Sequence, residues 1–119
     1  MWSNNTMVQT KNMRDHFRVH VGLNATLQLS GEKHNAKIVD ISSGGMRIEC
    51  TKSLPIDEHM TVRVMVHNNR VAVRCKVTRE VMSDAAVYHY GVKYIFVNAS
   101  DLKIINSFVL EMQALTRWQ

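Results

Sequence analysis

Two short groups of residues carry side chains that could bind a charged ligand. Arg14 and Arg18 lie four positions apart near the N-terminus, and Asp40, Ser42 and Gly45 form the pattern Asp-x-Ser-x-x-Gly further along the chain. Guanidinium groups donate several hydrogen bonds to anionic oxygens, whereas a carboxylate accepts them. Each group alone also has an ordinary explanation, because arginine pairs arise by chance in a basic chain and aspartate, serine and glycine are common turn residues. Which explanation holds depends on the elements that position the two groups.

The charge balance of the chain favours an anionic partner. Lysine and arginine number 15 against 10 acidic residues, which gives a net charge of +5. Such an excess attracts nucleotides, nucleic acid or acidic protein surfaces, and the charge does not choose among them. A basic surface that serves only solubility is the alternative.

Length and composition indicate one globular domain. The chain has 119 residues, of which 45% are hydrophobic, so it can bury a core without a disulfide or a metal. Cys50 and Cys75 lack the spacing of a disulfide framework or zinc site, and we predict two buried thiols. Apolar runs are only a few residues long, so no membrane insertion is expected. The polar N-terminus lacks the features of a secretory signal, which predicts a cytoplasmic protein.

Period-two patterning in the middle of the chain predicts antiparallel strands. Valines and one cysteine alternate with other residues over 62–66 and 71–77, and the polar residues 67–70 between them predict a hairpin. Further strands are predicted over 25–29, 36–41, 46–50 and 86–97. Gly91 lies inside the last of these and predicts a bulge or a close backbone approach. Leu54 and Pro55 predict a loop.

The period changes after Ala99, which predicts a C-terminal helix capped by Ser100 or Asn98. Its apolar positions recur every three or four residues: Leu102, Ile105, Val109 and Met112, widened by Phe108, Leu115 and Trp118. We expect this side to dock on the sheet, and an exposed part of it serving a partner is the alternative. About six short strands and one helix predict a mainly β protein whose sheet closes into a barrel over residues 21–119. Residues 1–20, which carry both arginines, are predicted to be a flexible N-terminal arm.

Together the motifs resemble a known family, the PilZ domains. The resemblance consists of the arginine pair followed about two dozen residues later by Asp40-Ile41-Ser42-Ser43-Gly44-Gly45. Tyr90-Gly91-Val92-Lys93-Tyr94 is similar to the strand that closes the PilZ barrel, and the terminal helix is in the family's position. The resemblance covers the chain from about Lys11 to the C-terminus. It implies a six-stranded antiparallel barrel that acts as a receptor for cyclic di-GMP (c-di-GMP), a bacterial second messenger.

The resemblance also implies the ligand-binding residues. Arg14 and Arg18 match the family's arginine pair, and guanidinium groups suit both phosphate oxygens and the Hoogsteen edge of guanine. Asp40 is expected to accept the two donors of a guanine Watson–Crick edge, with Ser42 as a second polar contact. Gly45 is expected to hold the backbone that aims these side chains, where a β-carbon would be strained if φ is positive.

Three more basic residues lie on predicted strands: Arg47, Arg74 and Arg79. Outward-facing arginines are usually solvated, so the sequence does not decide whether any of the three contacts the ligand.

The predicted function is a non-catalytic c-di-GMP receptor with a dissociation constant near micromolar, about −8 kcal/mol. The ligand is expected to order the arm and so change the surface shown to a protein partner. One alternative is a PilZ-like adaptor that binds protein without nucleotide. Another is a barrel that binds single-stranded nucleic acid, which 7% aromatic residues disfavour.

Enzymatic readings find little support in the sequence. It contains no nucleophile elbow, phosphate-binding glycine loop or metalloprotease motif. His16 and His20 have a spacing that could share a metal on a helix, but no carboxylate or cysteine lies beside them at ligand spacing. Neither catalysis nor a metal or other cofactor is therefore expected.

Overall fold

The computed structural model describes residues 18–83 and 86–117. Six strands and one helix account for most of them, in agreement with the mainly β prediction. Their bounds are β1 Val19–Leu29, β2 Glu32–Ile41, β3 Gly45–Cys50, β4 His59–Val66, β5 Asn69–Ser83, β6 Tyr88–Phe96 and α1 Ala99–Arg117.

The six strands form a closed antiparallel barrel, as predicted. Their order around the barrel is β1-β2-β3-β6-β5-β4, and β1 pairs with β4 to close it. Closure gives each of these strands two neighbours and leaves none of the six as a sheet edge. Strand β1 begins at Val19, so Val19 and His20 pair with Ile41 and Asp40 of β2. The first 17 residues of the predicted arm lie outside the described residues.

Two-residue turns connect two of the hairpins. His67 and Asn68, between β4 and β5, have φ values of 51° and 65°, and Ser30 and Gly31, between β1 and β2, have 50° and 78°. Two consecutive residues with positive φ match the right-handed twist of the flanking strands, which fixes the register of a hairpin. The predicted hairpin at 67–70 is confirmed with a shorter loop.

The barrel interior is filled by the alternating residues that the sequence singled out. On β4 and β5 the inward side chains are at most 6% exposed: Val62, Val64, Val66, Val71, Val73, Cys75 and Val77. Cys50 is also buried, so both thiols lie in the core as predicted. Burial of aliphatic side chains at this density is the main source of stability in such a fold.

Strand β6 is regular at Gly91, which pairs with Arg47 on one side and Arg79 on the other. The extra residue of the bulge next to Gly91 lies in β5, at Thr78, because Val77 pairs with Val92 and Arg79 with Gly91. A β-carbon built on Gly91 would come within 3.3 Å of Arg79 Nε. The predicted bulge therefore belongs to the partner strand, and the close approach at Gly91 comes from a side chain.

Helix α1 begins at the Asn98 cap and docks on the barrel. Asn98 Oδ1 accepts a hydrogen bond from Asp101 N at 2.8 Å, which satisfies a free donor of the first turn. Ile105, Phe108 and Val109 are buried, so docking of the apolar side is confirmed. Leu115 is 56% exposed. Trp118, which the sequence added to this apolar side, lies outside the described residues. No helix in 18–83 and 86–117 has the length and apolarity to span a bilayer.

The buried Cys75 thiol is expected to make the protein lose stability in alkali. Burial raises its pKa from 9.0 to about 12. The unfolded chain therefore releases this proton near pH 9 while the folded chain keeps it, so stability is unaffected below pH 9 and falls between pH 9 and about 12. The slope from one such group is at most about 1.4 kcal/mol per pH unit. Urea unfolding from pH 8 to 11 measures it.

The matched variant is Cys75→Val, which fills a similar volume among valines and carries no proton. Its stability should fall less steeply above pH 9 than that of the wild type. Parallel curves for the two proteins would show that Cys75 does not contribute to the alkaline loss.

Candidate functional site

Asp40 is the buried carboxylate at the centre of the predicted site. It lies near the end of β2, is 2% exposed, and follows a register irregularity between Ile38 and Asp40. Arg18 Nη1 donates to Asp40 Oδ1 at 2.5 Å, and Arg47 Nε lies 3.8 Å from Asp40 Oδ2. A carboxylate of this burial needs such partners, because an unpaired charge is costly away from water. Two cations surround one anion, so the site has an excess of positive charge.

Ser42 forms hydrogen bonds with backbone groups of its own turn, which connects β2 to β3. Its Oγ accepts hydrogen bonds from Gly44 N at 3.3 Å and Gly45 N at 3.2 Å, and donates to Gly45 O at 3.2 Å. Its backbone N donates to the same carbonyl at 2.9 Å. Ser42 is 2% exposed, so its hydroxyl is engaged with the turn's own backbone. The structure therefore gives this serine a role in shaping the loop beside Asp40.

Gly45 lies where β3 comes closest to the backbone of β6. The sequence analysis expected backbone strain at Gly45 if its φ were positive. Its φ is outside the left-handed region, so that reason for glycine does not apply. A β-carbon built there would instead overlap the carbonyl oxygen of Val92. Close approach of two backbones, rather than backbone strain, is the reason for glycine at this position.

Tyr94 ties the same turn to β6 at two points. Its hydroxyl donates to Ser42 O at 2.8 Å and its backbone N donates to Gly44 O at 3.1 Å. Burial is the largest cause that raises the pKa of Tyr94, and the charge of Arg18 acts in the opposite direction. Tyr94 therefore stays protonated as a hydrogen-bond donor at neutral pH and fixes the Asp-x-Ser-x-x-Gly loop.

Replacing Tyr94 with phenylalanine should destabilise the protein by about 1 kcal/mol, the usual net worth of one hydrogen bond. The ring is retained, so the loss reports the bond to Ser42 O. Tyr88→Phe is the matched control, because no hydrogen bond of the Tyr88 hydroxyl is found among the described residues. Urea unfolding of both variants makes the comparison, and an equal loss in the two would contradict the role given to Tyr94.

The three arginines for which the sequence did not decide ligand contact lie at different positions on the barrel. Arg47 lies opposite Asp40 in the β2–β3 register and belongs to the site. Arg79 lies across Gly91, the neighbour of Arg47, so it extends the same row of the barrel surface. Arg74 pairs with Thr61 and Phe96 on another part of the sheet.

The structure thus brings Arg18, Asp40, Ser42 and Gly45 together, whereas Arg14 lies outside the described residues. Sequence reasoning did not assign Arg47 or Tyr94 to the site. Arg47 could have been found, because pairing Ile41 with Met46 across the predicted hairpin places Asp40 opposite Arg47. Tyr94 had no such signal, since its partner is a backbone carbonyl 52 positions away.

The arrangement can bind an anion that also offers hydrogen-bond donors. Arg18 is 41% exposed and bonds Asp40 through one of its nitrogens, so with respect to residues 18–83 and 86–117 its other guanidinium donors remain for anionic oxygens. Arg47 is 38% exposed and adds a second cation. Asp40 Oδ2 has no closer partner than Arg47 Nε among the described residues and retains acceptor capacity.

Comparison with solved structures finds the same fold in several proteins. The Bacillus subtilis inhibitor of motility MotI/DgrA superposes with a TM-score of 0.76 at 17% identity, covering 84% of this chain and 51% of that one. The K. pneumonia MrkH–c-di-GMP complex gives a TM-score of 0.70 at 15% identity, covering 85% and 52%. The PilZ domain with c-di-GMP of YcgR from Escherichia coli gives 0.65 at 11% identity, covering 85% and 92%. The chain thus spans about half the length of MotI and MrkH.

At these identities the likeness establishes the fold. Comparison with curated proteins gave no significant match. The family model described as PilZ domain matches residues 12–111, which include both arginines, the Asp-x-Ser-x-x-Gly loop and most of α1. With that match over most of its length, the chain belongs to the PilZ domain family.

Proposed function

We propose that this protein is a c-di-GMP receptor without catalytic activity. The observation that carries the proposal is the Arg18–Asp40 pair beside the closed loop at Ser42, because it joins an exposed guanidinium to a buried carboxylate at one point of the surface. The two phosphates and two guanines of c-di-GMP require cationic donors and carboxylate acceptors together. Solved PilZ-domain relatives are described as complexes with c-di-GMP, which supports the same ligand class here.

Each predicted residue has a place in this proposal. Arg14 and Arg18 bind the phosphates and a guanine Hoogsteen edge, and Asp40 accepts from a guanine Watson–Crick edge. Because Asp40 is 2% exposed beneath Arg18, a base reaches it only when Arg18 moves toward the ligand. Ser42 and Gly45 contribute by holding the loop, and Arg47 adds a cation next to Asp40.

We further propose that the ligand orders the residues before β1 and thereby alters the surface offered to a protein partner in the cytoplasm. Arg18 directly precedes β1, so a ligand that binds it also holds the segment containing Arg14. Ordering costs about 1 kcal/mol or more per residue, which keeps the expected affinity near micromolar.

Thermal shift and hydrogen exchange test the proposal together. At 100 times its dissociation constant, c-di-GMP should stabilise the protein by about 2.7 kcal/mol, whereas GMP and GTP should have little effect. Amide exchange of residues 8–20 should slow on addition of c-di-GMP. Equal shifts of the unfolding temperature with all three nucleotides would contradict the receptor assignment. Unchanged amide exchange of residues 8–20 in a protein that binds c-di-GMP would contradict the ordering of the arm.

A further inference from the structure

A cleft separate from the Asp40 site is lined by residues of β1, β2, β4 and β5. Its volume is about 500 Å³, within the range of concave binding sites. Arg63, Met65 and Arg70 line it together with Ala72 and Asp101, the latter from the first turn of α1. It shares no residue with the site proposed for c-di-GMP. Along β5, Arg79 lies seven positions after Ala72, or about 23 Å of strand.

The basic side chains of this cleft are available to a partner. Arg63 donates through Nε and Nη2 to Gln28 Oε1, each at 3.3 Å, and remains exposed. Arg70 is exposed and lies opposite Met65, which is 50% exposed, in the β4–β5 register. Within residues 18–83 and 86–117, no acidic side chain forms an ion pair with Arg63 or Arg70.

The one carboxylate that lines this cleft in the described part of the chain is already engaged. Asp101 Oδ2 accepts hydrogen bonds from Ala72 N at 3.2 Å and from Asn98 Nδ2 at 3.3 Å. Asp101 therefore fastens the start of α1 to β5 and forms no ion pair with Arg63 or Arg70. The cleft presents two guanidinium groups around an exposed thioether.

We propose that this cleft docks an acidic segment of another protein, in which an apolar side chain flanked by carboxylates packs on Met65. Arginine and methionine are enriched in protein interfaces, and a guanidinium fork binds a carboxylate through two hydrogen bonds. None of the lining residues in 18–83 and 86–117 is aromatic, so this part of the cleft lacks the stacking surfaces with which proteins hold nucleic acid bases. A recess of this shape also fits a protruding side chain better than a flat lipid surface.

The inference rests on the proposed signalling role, for which it names the surface and the chemistry of the partner. The two remain separable, because the cleft and the c-di-GMP site have no residue in common. A variant of the cleft should therefore bind c-di-GMP like the wild type.

The test uses a fluorescein-labelled peptide with one leucine between two pairs of glutamates, titrated into the full chain and followed by anisotropy. Saturable binding is expected, weakened at least about 10-fold by Arg63→Glu/Arg70→Glu, which is about 1.4 kcal/mol. Lys52→Glu/Lys103→Glu is the matched control, because it changes the net charge equally at two exposed positions outside the cleft. The same peptide with glutamines should not bind.

Three outcomes would overturn the proposal: no saturation by the glutamate peptide at millimolar concentration, equal weakening in both double variants, or tighter binding of oligothymidine or of phosphatidylglycerol vesicles. Circular dichroism checks that the variants are folded. Titration of c-di-GMP into the same samples distinguishes the two proposals, since failure of the wild type to bind nucleotide refutes the receptor assignment and leaves the peptide result to stand or fall by itself.

Discussion

Replacing Arg18 with alanine is expected to weaken c-di-GMP binding about 100-fold, or about 2.7 kcal/mol. Hydrogen bonds to charged groups contribute about 1.5–3 kcal/mol each, and in the proposed complex Arg18 makes several of them. The same change also removes the contact of Arg18 with Asp40 in the free protein, so the measured loss is the worth of the bonds from Arg18 to the ligand less the worth of that contact. Titration calorimetry measures the loss.

Two companion variants make this result specific. Arg18→Lys keeps the charge but not the planar fork, so most of the affinity should still be lost. Arg74→Ala removes an exposed arginine that pairs with Thr61 and Phe96 away from Asp40, so binding should not change. Thermal unfolding checks that Arg18→Ala is folded. We expect it to be, because Asp40 keeps Arg47 as a neighbour. Wild-type affinity in Arg18→Ala would exclude this arginine from the binding site.

Gly45→Ala should destabilise the protein by about 2–3 kcal/mol, the cost of forcing extra volume into a packed interior. The added carbon would overlap Val92 O, and this neighbour is backbone in a paired strand that cannot rotate aside. The strands β3 and β6 must separate locally to accommodate it. Because the Ser42 hydroxyl bonds to Gly45, the same movement should also disturb the loop beside Asp40 and weaken c-di-GMP binding.

Gly22→Ala is the matched control for this prediction. Gly22 lies in β1, and a β-carbon built there has no atom within 4 Å and needs no left-handed backbone. Its free energy of unfolding should change by no more than about 0.5 kcal/mol. Urea unfolding of the two variants gives the comparison. Equal stability of Gly45→Ala and Gly22→Ala would contradict the close approach of β3 and β6.

The barrel was predictable because its patterns are local. Alternation along β4 and β5 identifies which side chains face inward, and the change to a period of three or four residues marks α1. Asn98 as the helix cap is a local feature too, since its partner Asp101 lies three positions away. Strand bounds were less accurate, as in β6, which is shorter than the predicted 86–97 because pairing ends at Tyr88 and Phe96.

The site was predictable in its residue types and only partly in its geometry. The motif placed Asp40, Ser42 and Gly45 on one loop, but the engagement of the Ser42 hydroxyl with Gly44 and Gly45 depends on how the loop closes. The need for glycine at position 45 comes from β6, which is distant in sequence. Contacts of this kind depend on packing between strands, which a motif does not specify.

Binding of c-di-GMP through the arginine pair and Asp40 is what we propose for this chain. Isothermal titration of c-di-GMP into the full chain tests it most directly, with Arg14→Ala and Asp40→Ala as variants and GMP and GTP as controls. We expect saturable binding near micromolar that is selective for the cyclic dinucleotide and lost in both variants. Absence of binding by the wild-type chain at several hundred micromolar c-di-GMP would contradict it.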